Sequence, residues 1–178
     1  MWGGGFIGRI FGRRRAILDA LREISIRLPI TDAAIARYPA ASCTGRCYSY
    51  PLAVECVRRG GVLRWRVHSE LARPWQGRIV MYGEARHGTP RELYGMEVMV
   101  TGDAGFDAQF LVAATEDALA RRLFTPYLRA RCRRLPTSHL TIDCHDSTVY
   151  CEYTTGMHDP VRIGIPVITF LLDLMDRL

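Results

Sequence analysis

Apolar and polar positions alternate most legibly from Phe106 to Leu135, FDAQFLVAATEDALARRLFTPYLRARCRRL. Phe106, Ala108, Phe110 and Val112 alternate with Asp107, Gln109, Leu111 and Ala113, the period-two signature of a strand with one buried face. Thr115 is placed to cap a following helix, with Glu116 and Asp117 in its first turn beside the exposed N–H groups and Leu119, Leu123 and Phe124 as its apolar stripe. At Thr125-Pro126 the pattern restarts, because proline suits the first position of a new helix and Thr125 can cap it. Tyr127, Leu128, Cys132 and Leu135 carry the buried side onward, and Arg122, Arg129 and Arg133 are spaced to share the other.

Elsewhere the periods are shorter but readable. Ile17, Leu18, Leu21, Ile24 and Leu28 recur at helical spacing from Ala16 until Pro29 stops the pattern, and Thr31-Asp32 opens a short second helical piece through Tyr38. Two strands, Cys47 to Val57 and Val62 to Leu71, flank a Gly60-Gly61 turn whose glycines supply positive φ. In the second of them Val62, Arg64, Arg66 and His68 take one face and Leu63, Trp65, Val67 and Ser69 the other. Ile79 to Gly83 is a shorter strand, Glu84 to Arg91 a loop and Leu93 to Val100 strand or mixed. Leu140 to Cys144 and Val149 to Tyr153 form a hairpin turning near Asp146-Ser147, and a helix from about Ile165 closes the chain. That helix has an apolar face wide enough to be buried or to be shared with a partner or a second copy of the chain.

No βαβ unit repeats. The order helix, strands, helices, hairpin, helix predicts a single α+β domain, an antiparallel sheet with helices packed mainly on one face, over residues 16–178. Residues 1–15, MWGGGFIGRIFGRRR, read as a Gly/Arg-rich tail that is flexible or docks, since glycine weakens a helix there. Its Trp, Phe and Ile residues beside Arg13, Arg14 and Arg15 suit an anionic membrane surface or a protein partner.

Composition changes this picture in three ways. At 178 residues and 48% hydrophobic the chain supports one proper core. All 24 basic residues are arginine, which excludes a GK[ST] phosphate loop, a Schiff-base enzyme and a protein kinase, since each needs a lysine amine. Net charge of +6 favours acidic partners, but the arginines are scattered along the chain. Six cysteines with neither a positive leader nor an uninterrupted apolar run near the start point to thiols in a reducing compartment, hence a cytoplasmic protein, peripheral to the membrane if the tail docks.

Few groups suggest chemistry. Cys43 and Cys47 can converge on zinc or form a redox pair if Thr44 to Arg46 turn; if the segment is a strand they cannot share a metal. Zinc there is the single cofactor candidate. Cys144-His145-Asp146 has the membership of a nucleophile triad but the wrong spacing, because consecutive strand residues point apart; whether Cys144 lies opposite Cys151 across the hairpin depends on turn length, and apolar packing is the reading for both. Asp103 and Asp107, in TGDAGFD, are expected to hydrogen-bond their own turn. His87, His139 and His158 stand alone in loops. Arg13, Arg14, Arg15, Arg122, Arg129 and Arg133 are the candidate partner or anion surface.

Thr101-Gly-Asp-Ala-Gly-Phe-Asp-Ala-Gln-Phe-Leu-Val, then Glu116-Asp117, then Leu123-Phe124-Thr125-Pro126, resembles bacterial domains of unknown function that share a GD..FD..F.V...D......LTP pattern and often follow membrane-spanning helices. The likeness runs from about Glu97 to Tyr153; it supports the fold, implies no activity and carries over no catalytic residue. The expectation is therefore a bacterial non-enzymatic binding or scaffold module associated with a membrane surface or an assembly. The alternatives are nucleic-acid binding by arginine-rich faces and a thiol or zinc site at Cys43 and Cys47.

Overall fold

The computed structural model describes residues 4–37, 39–59, 62–74, 76–83, 93, 95–135, 139–156 and 160–178, with backbone alone for 4–14 and 59. The Gly60-Gly61 turn, Tyr38, the whole 84–91 loop with His87, Tyr94 and His158 lie outside the described residues, as do the side chains of Arg13 and Arg14.

Helix α1 (Gly4–Arg27) buries Ile17, Leu18, Ala20, Leu21 and Ile24, the stripe its spacing gives, and Leu28 caps that contact before Pro29 ends the helix. It runs from Gly4, ahead of the Ala16 start that the apolar spacing gives, so the helix includes the glycine-rich segment. Once a packed half fixes the axis, adding turns costs no new nucleation, and that offsets the weak propensity of glycine.

After Pro29 the chain is extended, not helical: β1 (Ile30–Ala36) pairs antiparallel with β2 (Ala41–Cys47). The pairing slips between Thr31 and Ala34, where Asp32 takes φ 53, a bulge that the Thr31-Asp32 cap signal concealed. Gly45 makes this close approach feasible, since a Cβ there would stand 2.6 Å from both Ile30 Cγ2 and the Thr31 carbonyl oxygen. Tyr48, with φ 54, turns the chain into β3 (Tyr50–Arg59), so the expected single strand from Cys47 is two.

Strands β4 (Val62–Glu70), β5 (Arg78–Gly83), β6 (Glu97–Met99), β7 (Phe110–Ala114), β8 (Thr141–His145) and β9 (Thr148–Thr155) complete one antiparallel sheet. Its order is β1-β2-β3-β4-β9-β8-β5-β7-β6, nine strands among the described residues. The strand expected from Phe106 starts four residues late, because Asp103 caps a helical turn, α2 (Ala104–Asp107), by accepting from Phe106 N. α3 (Asp117–Leu123) has Glu116 rather than Thr115 at its N-cap position, with no side-chain cap hydrogen bond, and the Thr115 hydroxyl accepts from Arg78 N at 3.2 Å. α4 (Pro126–Cys132) begins as read, with Pro126 in the first turn and Thr125 Oγ1 accepting from Leu128 N. α5 (Pro160–Met175) ends the fold.

The protein is thus one α+β domain with its helices on one side of the sheet. α1, α3, α4 and α5 share the main core with the inward residues of the strands. The apolar face of α5, including Val167, Phe170, Leu171 and Leu174, is covered within the chain. A small second cluster, Val80, Tyr82 and Ala113 with Leu93, covers part of the opposite face at the β5–β7 end.

Trp65 anchors the centre: it is fully buried, its ring lies parallel to that of Tyr153 at 6.4 Å, and its Nε1 donates to Thr155 Oγ1 at 3.0 Å. The Tyr153 hydroxyl is buried with no hydrogen-bond partner among the described residues, and it faces α5 where a Cβ on Gly164 would stand 2.9 Å from it. Gly164→Ala should therefore cost about 1–3 kcal/mol by overpacking in urea denaturation. Tyr153→Phe, which deletes the unpaired hydroxyl, should cost nothing or stabilise, and should recover most of the loss when combined with Gly164→Ala.

Candidate functional site

Strand alternation decides the fate of the cysteines. Cys43 and Cys47 lie on β2 with both side chains buried, about 13 Å apart along the strand, so one ion cannot take both. The Cys47 thiol donates to the Leu28 carbonyl at 2.9 Å instead. Cys144 pairs in register with Val149 and Cys151 with Ile142, so the two are diagonal neighbours rather than opposite each other. Cys144 points inward and His145 outward, where its Nδ1 sits 3.4 Å from Asp143 Oδ1; the three consecutive residues never meet as a triad. All six cysteines are free and buried. Among the described residues no three His, Cys, Asp or Glu side chains are grouped closely enough to hold a metal ion.

The loop carboxylates serve their own turn. Asp107 accepts from Thr101 N, Thr101 Oγ1 and Gly102 N at 2.8–3.2 Å. Asp103, besides capping α2, holds Arg133 at 3.1 Å and Arg129 at 3.7 Å. Two of the arginines picked out as an anion surface are therefore bound to one carboxylate, while Arg122 is exposed on α3. Arg64 and Arg66, on the uncovered face of the sheet, reach Glu152 at 3.2 and 3.0 Å, and Tyr150 donates to the same carboxylate at 3.0 Å. Burial and Glu152 push the Tyr150 hydroxyl up to about 12. Arg78 grips Asp143 through two hydrogen bonds of 3.0 and 2.6 Å on the same face. This face carries these charges in mutual ion pairs, with Arg64 Nε left without a hydrogen-bond partner among the described residues.

α1 is different. Its 24 residues, at about 1.5 Å each, make a rod of about 36 Å; Arg15 and Ala16 are exposed, and Ile17 is the first of the side chains described in the core. Arg15, at the start of the packed half, has a single distant partner, Asp19 at 4.0 Å. The exposed side carries Asp19–Arg22 and Glu23–Arg27 pairs and Ile26, 78% exposed. Between α1 and the start of α5 runs a groove of about 630 Å³, floored by Ile17, Ala20 and Leu63 and walled by Asp19, Glu23 and Arg27. The sequence signal for this helix was cut short because residues 4–12 hold four glycines among Phe6, Ile7, Ile10 and Phe11. Those apolar residues nevertheless recur at i, i+1, i+4 and i+5, the spacing of one helical side.

Burial raises the thiols of Cys43 and Cys47, takes Cys56 up to about 12, and lifts Cys132, Cys144 and Cys151 further. A thiol that stays neutral in the fold but ionises at about 8.5 in the unfolded chain favours the fold fully below that pH and less above it. Melting temperature should fall as pH rises from about 8.5 toward 12, and Ellman's reagent should find six thiols only after unfolding.

No family model matches the chain, and no curated protein does. Among solved structures the chain is similar to the crystal structure of the mycobacterial trehalose monomycolate transport factor A, TtfA, with a TM-score of 0.63 and 9% sequence identity over 92% of this chain and 97% of that one. At that identity the two have a fold in common, spanning nearly all of both.

Proposed function

We propose that this protein is a non-catalytic binding module that docks on an anionic membrane surface through the first half of α1. The observation that carries the proposal is the continuity of α1 from Gly4 to Arg27, which joins the Phe/Ile/Arg segment stiffly to the half embedded in the core. A helix with apolar residues at helical spacing beside three consecutive arginines lies in the headgroup region with its apolar side in the acyl boundary. No helix among the described residues is long and apolar enough to cross a membrane, so attachment by α1 would be peripheral. Inert, buried thiols and carboxylates engaged with their own turns or with arginine favour binding over turnover. Support also comes from the fold, which a mycobacterial transport factor uses over almost its whole length.

Co-sedimentation with vesicles checks this. The chain should bind phosphatidylglycerol vesicles, release them as salt rises, and leave phosphatidylcholine vesicles largely unbound. At about 1 kcal/mol per arginine near the surface, the Arg13→Gln, Arg14→Gln, Arg15→Gln triple variant should bind about a hundredfold more weakly. Equal binding by that variant, or no preference between the two lipids, would remove the proposal.

A further inference from the structure

A second groove, of about 500 Å³, lies between α4 and α5 on the far side of the helical layer from α1, within the size range of small-molecule sites. α4 lines it with Tyr127, Ala130 and Arg131, the turn that follows α4 with Arg134 and Leu135, and α5 with Pro166 and Phe170. Ala130, Leu135, Pro166 and Phe170 form the apolar part of the lining, and its polar part lies at Tyr127, Arg131 and Arg134. There the Arg131 guanidinium is held 2.5 Å from Asp173 and stands 6.0 Å from the centre of the Tyr127 ring, with Arg177 at 5.5 Å from the same ring. Asp173 is paired with Arg131, while Arg134 in the lining and Arg177 beside the Tyr127 ring have no ion-pair partner among the described residues.

Guanidiniums without a paired carboxylate beside an apolar trough are complementary to a molecule with a negative head and a hydrocarbon body. We propose that the α4–α5 groove binds a single-chain fatty-acid anion, its carboxylate at Arg134 and Arg177 and its chain along Leu135, Pro166 and Phe170. Arg131, neutralised by Asp173, holds Tyr127 by donating to its hydroxyl at 3.2 Å and so shapes the mouth.

Titration calorimetry of the full chain with dodecanoate, below the concentration at which it aggregates and without vesicles, tests this apart from α1. One saturable site is expected. Arg134→Glu and Arg177→Glu, both at exposed positions, should each weaken it about tenfold or more, the loss of one charge-assisted contact. Ala130→Trp, an exposed position in the groove wall, should abolish binding while leaving the fold intact. Absence of a saturable site, equal affinity for dodecyltrimethylammonium, indifference to Ala130→Trp, or displacement of dodecanoate by a short acidic peptide would each overturn the proposal.

Discussion

One constraint shapes everything else: a broad antiparallel sheet has inward apolar residues on almost every strand, and all of them must be covered from the same side. Trp65 and Tyr153 sit where that demand is greatest, on the paired strands β4 and β9, and α1 and α5 close over this region. α3 and α4 extend the cover to β5 and β7, where Met81 Sδ meets the Cys132 thiol at 3.9 Å. Burial of this kind is non-directional. Its specificity comes from a few fixed contacts, such as Trp65 to Thr155 and the absence of a side chain at Gly164.

The uncovered face obeys the complementary rule. Where no second layer excludes water, the strands carry Arg64, Arg66, Glu152, Arg78 and Asp143 in mutual pairs. Each exposed pair adds little stability, but together they keep the face solvated and unattractive to another sheet. The arginine content therefore reflects a structural use at least as much as an affinity for anions. At the α4–α5 groove Arg131 is paired with Asp173, while Arg134 and Arg177 have no ion-pair partner among the described residues.

How much of this was legible in the residues depends on the range of the cause. Phe110 to Val112, the Thr125-Pro126 boundary, the β8–β9 hairpin and the inward set of Leu63, Trp65 and Val67 follow from local periodicity and capping, and the antiparallel α+β class follows from them. β1 was misread because Thr-Asp is a cap signal, and only the partner strand and the opening left by Gly45 turn it into a bulge. The four-residue delay at β7 is a contest between alternation and the Asp103 cap, which the short-range hydrogen bonds of Asp103 and Asp107 decide. The α4–α5 groove had no signal, since its sides come from segments 30 or more residues apart and neither is polar enough to stand out.

The order of the strands also governs how the molecule comes into being. β4 lies beside β9, so Trp65 meets Thr155 only across 90 residues of intervening chain. The first four strands can zip together by near-neighbour hairpins, but they are left with an open border and a bare greasy side until the last hairpin and α5 arrive. Loop closure over such a distance is the entropically demanding step, which makes the late docking of the C-terminal third the gate to the native state. During synthesis, the interval before that docking is when the nascent chain is most exposed to self-association.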